Sequence, residues 1–164
     1  MKRVIANDLL LPEVSRRIAE GQSVRIRVKG SSMIPFLHEN RDEVVLSPFQ
    51  RPDLKAGVIV LAFLPRHKKY VLHRILQKSG NLLELMGDGN LYGTEICHEE
   101  DVIAIVRTAI RNNMEVDFTE AYWLRRAGWW RRLLPVRRYL LWIYKGLVES
   151  GYIFNGIKQK LNRA

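Results

Sequence analysis

The chain has 164 residues, enough for one domain of about 100–150 residues and an appendage. Apolar residues make up 47% and charged residues 27%, which excludes a chain that is disordered throughout. Of the net charge of +10, residues 1–106 carry 15 Lys+Arg against 13 Asp+Glu, and residues 107–164 carry 12 against 4. A basic excess confined to the C-terminal third indicates an anionic partner there, a membrane or a nucleic acid.

The N-terminal region carries no targeting signal that the sequence reveals. The apolar run Leu9–Leu11 is too short for a signal peptide, and Pro12 follows at once. No stretch reaches the roughly 18–20 apolar residues that span a bilayer. We therefore expect a cytoplasmic protein, free or peripheral on the inner membrane face. No cofactor or metal is predicted, because Cys97 and the adjacent His98 lack ligand spacing and are expected in a solvated loop.

The first two thirds of the chain predict one short helix followed by strands. Pro12 suits the first turn of a helix over residues 12–20, and Gly21 suits its end. Between residues 24 and 28 apolar and basic side chains alternate, as in a half-buried strand. Further strands are expected at residues 43–47, 57–64, 69–76, 81–86 and 101–111. Short strands separated by turns, with no long helix between them, favour an antiparallel β domain over residues 1–117.

Residues 118–164 read as a basic, aromatic, helical extension. From residue 121 to residue 145 there are seven Lys/Arg and no acidic residue, interleaved with Trp and Tyr. Gly128 and Pro135 are expected to divide it into two or three helical pieces, and residues 146–164 to form a further polar helix. Residues 121–145 could contact a membrane surface, pack on the β domain, or bind a peptide or nucleic acid. Nucleic acid is disfavoured because no recognition motif accompanies the charge.

Ser32 stands in a short segment, residues 29–37, directly after the first predicted strand. A nucleophilic serine needs an exposed hydroxyl at a tight turn, with main-chain N–H groups nearby to receive the oxyanion. Gly30 permits such a turn, Pro35 restrains it, and Met33 can anchor it in the core. The N–H of Ser32 is the expected oxyanion donor, with the Ser31 hydroxyl or a neighbouring amide. Taken alone, the segment is more typical of a plain loop.

Two further segments become informative only in combination with this turn. His73 stands inside an apolar strand, where a buried histidine with a structural hydrogen bond is the ordinary interpretation. Asp88 lies in the segment Gly87–Asn90, which alone is an ordinary turn between strands.

Together, in this order and spacing, the segments resemble the signal peptidase I family of membrane-linked serine endopeptidases, over roughly residues 23–107. Ser32–Pro35 resembles the nucleophile box, Val71–Ile75 the general-base box, and Gly87–Asn90 the late Gly-Asp box. Asp101–Ala104 resembles the closing strand. The resemblance implies a mainly β, antiparallel, coiled and barrel-like sheet domain that binds a peptide in extended form, with small residues before the scissile bond.

The resemblance also implies catalytic roles: Ser32 as nucleophile, His73 as general base and Asp88 as the residue that orients His73. Typical bacterial members and the related self-cleaving SOS repressor domains have a lysine where this chain has His73. The endoplasmic-reticulum, archaeal and some sporulation-type members have His followed by Arg, as here. A histidine titrates near 6.5 and needs no desolvation to act as a base. The other interpretation of Asp88 is an ion pair with Arg74.

The sequence thus predicts a serine endopeptidase that processes a peptide or preprotein, of signal-peptide or leader type. Glu39–Glu43 and Ala56–Ile59 stand where many relatives have Gly-Asp pairs, and the usual N-terminal membrane anchor is missing. These departures favour the alternative, a catalytically idle member of the same fold that binds a peptide or a membrane surface. A self-cleaving regulator lacks support, because residues 1–22 are too short for a DNA-binding domain.

Overall fold

A computed structural model describes residues 7–39 and 41–147 of the chain. The helices are α1 Asn7–Ala19, α2 Ala121–Arg132 and α3, which covers residues 137–147. The strands are β1 Val24–Arg27, β2 Asp42–Ser47, β3 Ile59–Leu64, β4 Lys69–Ser79, β5 Leu82–Met86, β6 Glu95–His98, β7 Val102–Arg111 and β8 Met114–Asp117. Short 3-10 turns occupy Arg51–Asp53, Pro65–His67 and Glu99–Asp101.

All the described strands belong to one antiparallel sheet that forms an open half-barrel. Seven of them run in the order β1-β2-β7-β3-β4-β5-β6, and β8 pairs with β7. The predicted fold class, mainly β and antiparallel with a short N-terminal helix and C-terminal helices, is confirmed. The strand β1 forms one edge of the sheet and leads directly into the turn that carries the candidate nucleophile.

The six predicted strands are present, but β6 and β8 were not predicted. Each has only four residues, too few for an alternating pattern to stand out. The solvated loop expected at Cys97 is therefore wrong: Cys97 lies in β6 and its side chain is 2% exposed. The neighbouring His98 does face solvent, because successive side chains of a strand point to opposite faces.

The helix α1 begins earlier than its sequence predicted, at residue 7, and contains Pro12 in its interior. A proline there removes one backbone hydrogen bond, and burial of Leu11, Val14 and Ile18 against the sheet favours the helix nonetheless. The predicted end at Gly21 is confirmed. This glycine has φ +81°, a left-handed conformation that closes helices at little cost for glycine.

Two apolar clusters cover opposite faces of the sheet. In β3, Ile59 and Leu61 belong to one cluster, whereas Val60, Ala62 and Leu64 belong to the other. Burial on both faces explains why this segment is continuously apolar rather than alternating. Met33 lies in the first cluster and is 2% exposed, so it anchors the turn after β1 in the core.

The C-terminal extension packs one of its faces on the β domain. Gly128 does not interrupt α2, whereas Pro135 lies in the turn that separates α2 from α3. Trp123 and Trp130 pack against the first cluster, and Ala127 between them is buried. Beyond residue 147 the further predicted helix lies outside the described residues. No helix within residues 7–39 and 41–147 combines the length and apolar character needed to cross a bilayer.

A buried carboxylate ties the turn after β1 to the sheet. Asp42, 1% exposed, accepts hydrogen bonds from Arg111 (2.9 and 3.1 Å), from Arg41 (2.8 Å) and from the N–H of His38 (2.9 Å). Arg111 also donates to the carbonyl of Phe36 (2.7 Å). Burial by itself would raise the pKa of Asp42, but these hydrogen bonds outweigh it and hold the pKa below its usual value.

Asp42→Asn should destabilise the fold in a pH-dependent manner. Because its folded-state pKa lies below that of the unfolded chain, the carboxylate stabilises the fold above about pH 4, and this contribution is lost as the pH falls through the folded-state pKa. We expect the substitution to lower the free energy of unfolding by about 3 kcal/mol at pH 7. Urea denaturation of both proteins should show the difference shrinking below about pH 4.

The adjacent Glu43 supplies a matched control, because its ion pairs with Arg25 and Arg27 face solvent. Glu43→Gln should cost less than about 1 kcal/mol. Equal losses in the two variants, or a difference for Asp42→Asn that does not change with pH, would contradict the assignment.

Candidate active site

The turn that carries Ser32 follows β1 and is held by its own backbone. The N–H of Ile34 donates to the carbonyl of Ser31 (3.2 Å), and that of Leu37 donates to the carbonyl of Met33 (2.9 Å). Gly30 begins the turn with φ +80°, a conformation that favours glycine.

The two serines and the proline of this turn remain accessible to different degrees. Ser31 is exposed, and Ser32 and Pro35 are half-buried. Among the described residues the Ser32 N–H donates no hydrogen bond. This amide is therefore available as the predicted oxyanion donor.

His73 lies in β4 and is 5% exposed. Its Nδ1 is 2.9 Å from Oε2 of Glu95, the first residue of β6. An ionised carboxylate can only accept, so the proton of this hydrogen bond lies on Nδ1 and a neutral ring has an unprotonated Nε2. Lys69, four residues before His73 in the same strand, lies 3.5 Å from the other oxygen of Glu95. The ring is thus oriented with Nε2 as the proton acceptor.

Asp88 meets Arg74 instead of His73. Both carboxylate oxygens of Asp88 accept from this guanidinium, with distances of 2.6 to 3.1 Å, and both side chains are buried. Neighbouring side chains of a strand point to opposite faces, so a carboxylate that meets Arg74 lies away from Nδ1 of His73. The orienting position predicted for Asp88 is occupied by Glu95, and the alternative ion pair with Arg74 is the one present.

The turn Gly87–Asn90 lies between His73 and the turn that carries Ser32. The N–H of Gly89 donates to the carbonyl of Ser32 at 2.7 Å. A Cβ placed on Gly87 would collide with that same carbonyl oxygen and would lie 3.1 Å from Nε2 of His73. Ser32 and His73, 41 positions apart in the chain, therefore border the same small space beside Gly87.

The C-terminal extension contacts the turn Gly87–Asn90, which lies beside Ser32 and His73. The indole N–H of Trp130 donates to the carbonyl of Asp88 (2.8 Å), and Arg137 donates to the carbonyl of Asn90 (3.0 Å). Burial lowers the pKa of Arg137, an effect that the Asp88 carboxylate opposes. A cavity of about 370 Å³ lies between α2 and the end of β5, with Gly87 and Asp88 in its lining.

The arrangement supplies a hydroxyl, a base and a carboxylate. Within the described residues no hydrogen bond joins Ser32 Oγ to His73 Nε2, so a proton transfer between them would require the two atoms to move closer together. Cys97 is not an alternative nucleophile, because burial raises the pKa of its thiol to about 11. Residues 7–39 and 41–147 contain no cluster of three His, Cys, Asp or Glu side chains suited to a metal ion.

Sequence reasoning missed Glu95, Trp130 and Arg137 as parts of the site. The signal for Glu95 was weak: it stands two positions from buried Cys97, on the same face of a strand too short to recognise. For Trp130 and Arg137 the sequence held no signal. Residues 121–145 contain several tryptophans and arginines, and their sequence does not show which of them pack on the β domain and which are exposed.

Comparison with protein-family models, with curated proteins and with solved structures found no match to this chain.

Gly87→Ala tests the close approach that brings the two segments together. The added methyl group must push the Ser32 carbonyl away, so we expect a loss of about 1–3 kcal/mol in the free energy of unfolding, measured by urea denaturation. Gly128→Ala is the control, since nothing lies within 4 Å of the added atom and alanine favours a helix by up to about 1 kcal/mol. A Gly87→Ala protein as stable as wild type would mean that the turn does not pack on Ser32.

Proposed function

We propose that this chain is a serine endopeptidase of the signal peptidase I type, with Ser32 as nucleophile and His73 as general base. The observation that carries the proposal is the orientation of His73. Its Nδ1 is engaged by Glu95 while its Nε2 borders the space beside Gly87 that the Ser32 turn also borders. A histidine with only a structural role does not require a carboxylate on one nitrogen and a serine turn beside the other.

In the proposed reaction Ser32 Oγ attacks the carbonyl carbon of the scissile peptide bond, and its proton passes to His73 Nε2. The negative charge on the carbonyl oxygen is received by the N–H of Ser32, which donates no hydrogen bond to any described residue. His73 then gives the proton to the leaving amine, which departs as the C–N bond breaks. Water attacks the acyl-enzyme with the same histidine as base and releases the second product and Ser32.

Glu95 is a positioning residue in this scheme, since it contacts His73 and not the reacting atoms. Its carboxylate favours the tautomer with the proton on Nδ1 and stabilises the imidazolium that forms during attack. Lys69 in turn supplies a positive charge beside Glu95.

The substrate in this proposal is a peptide in extended conformation. The strand β1 lies at an edge of the sheet and ends just before the Ser32 turn, so a peptide that adds a strand there would lead its carbonyl towards Oγ. The sequence resemblance favours small residues before the scissile bond, as in an Ala-x-Ala site.

Ser32→Ala and His73→Ala should each abolish cleavage of a peptide with an Ala-x-Ala site. Removing the nucleophile or its base should lower kcat/KM by about a thousandfold or more. Cleavage is measured by mass spectrometry of the products, with Ser79→Ala as the control because Ser79 is exposed at the end of β4 and has no place in the site. Retained cleavage in either of the first two variants would refute the mechanism.

The same variants separate this proposal from a catalytically idle binding protein. A serine-reactive fluorophosphonate should label the wild-type chain and Ser79→Ala, but not Ser32→Ala. A wild-type chain that neither cleaves the peptide nor takes the label would favour the idle alternative.

Glu95→Gln and Asp88→Asn should have opposite profiles. Glu95 is half-buried and contacts the proposed base, so its substitution should lower kcat about a hundredfold or more and cost less stability than that of Asp88. Asp88 is buried against Arg74, so its substitution should cost about 3 kcal/mol of stability by leaving a buried charge. Steady-state kinetics and urea denaturation measure the two effects, and a reversed pattern would return the orienting role to Asp88.

A further inference from the structure

The face of the C-terminal extension that does not pack on the β domain is apolar and aromatic. Trp129 is 64% exposed, Tyr139 58%, Trp142 76% and Ile143 51%. We call this surface the aromatic face, and its members are Trp129, Leu133, Leu134, Val136, Tyr139, Trp142 and Ile143.

The pattern of α3 is the reverse of that of an ordinary surface helix. Tyr139, Trp142 and Ile143 are spaced three and four apart, so they share one face, and that face points away from the protein. The buried positions include Leu141 and the charged Arg137. A helix that buries a guanidinium and exposes a tryptophan and an isoleucine has its apolar stripe directed at something outside the domain.

Positive charge borders the aromatic face. Arg132 lies over the ring of Trp129 at 5.6 Å, and Arg138 lies over that of Tyr139 at 5.1 Å. Lys145 is exposed one turn beyond Trp142. No acidic residue occurs between positions 121 and 145. Trp and Tyr rings beside Arg and Lys are the composition of helices that lie in the headgroup region of a bilayer.

We propose that the aromatic face docks on the surface of an anionic phospholipid bilayer. The aliphatic members of the face favour lipid over nucleic acid, since leucine, valine and isoleucine gain nothing from stacking on bases. The uniform positive charge disfavours a second copy of the chain, because the same cations would meet across a symmetric interface. This inference does not depend on the peptidase proposal.

Docking in this way would place the candidate active site beside the membrane. The helix α2 carries both contacts: Trp129 belongs to the aromatic face, and the next residue, Trp130, holds the carbonyl of Asp88 in the site. A substrate presented at the bilayer surface would thus meet the site.

The test is co-sedimentation of the full chain with vesicles of phosphatidylcholine alone and with about one third phosphatidylglycerol. Wild type should bind the anionic vesicles at least about tenfold more tightly, and added salt should weaken this binding. The double variant Trp142→Glu and Ile143→Glu should lower the partition coefficient at least about tenfold. Met114→Glu is the control, since Met114 is 65% exposed at the start of β8, away from the aromatic face, and its substitution should leave binding unchanged.

A second arm tests the charge and the depth of docking. Arg138→Glu with Lys145→Glu should remove the preference for anionic vesicles. Brominated lipids should quench wild-type tryptophan fluorescence, and Trp129→Phe with Trp142→Phe should abolish most of this quenching. Trp123, which packs on the core, serves as control through Trp123→Phe, which should keep the quenching.

The following outcomes would overturn the proposal. In the vesicle experiment they are unchanged binding of the Trp142 and Ile143 double variant, and a loss of binding in Met114→Glu equal to that in the double variant. In lipid-free solution the outcome is a dimer, seen by sedimentation velocity, that the double variant dissociates. With nucleic acid it is tighter binding of the protein to an RNA oligonucleotide than to anionic vesicles. Shielding of Trp142 from iodide in lipid-free protein would also overturn it, because another part of the chain would then cover the face.

Discussion

The buried ion pair between Arg74 and Asp88 is the interaction on which the site depends. Arg74 follows the candidate base in β4, and its guanidinium reaches both oxygens of Asp88 as well as the carbonyl of Gly57. Burying these charges is costly unless every donor is used, and the ring of Phe36, 4.8 Å from the guanidinium, covers the remaining face. The pair fixes the Gly87–Asn90 turn relative to β4.

That turn then determines where the nucleophile segment and the extension lie. Through the Gly89 N–H it holds the carbonyl of Ser32, and through the carbonyl of Asp88 it receives Trp130. Three parts of the chain that are distant in sequence thus meet at four residues. The missing side chain of Gly87 is what allows the approach, because any Cβ would occupy the space between the Ser32 carbonyl and the imidazole.

The C-terminal extension has one face packed on the β domain and another exposed to solvent, and both faces carry aromatic and basic side chains. Trp123 and Trp130 lie edge-on to Phe36, and the ring of Phe36 packs against the guanidinium of Arg74. Trp129, which precedes Trp130 in the chain, faces solvent with the arginines Arg131 and Arg132. Successive side chains of a helix are rotated by roughly 100° about its axis. One segment can therefore pack on the β domain with one face and leave another face exposed.

The sequence by itself predicts the antiparallel β class, six of the strands and the end of α1 at Gly21. It also predicts Ser32 and His73 as candidate catalytic residues. Those features depend on short-range patterns: alternation, turn residues and the order of the motifs. Only the tertiary structure decided that Glu95 rather than Asp88 contacts His73, that Cys97 is buried, and which tryptophans pack. The reason is that a carboxylate meets whichever cation or ring the register of the strands brings to its face. Register between β4, β5 and β6 is a property of the assembled sheet and not of any local stretch.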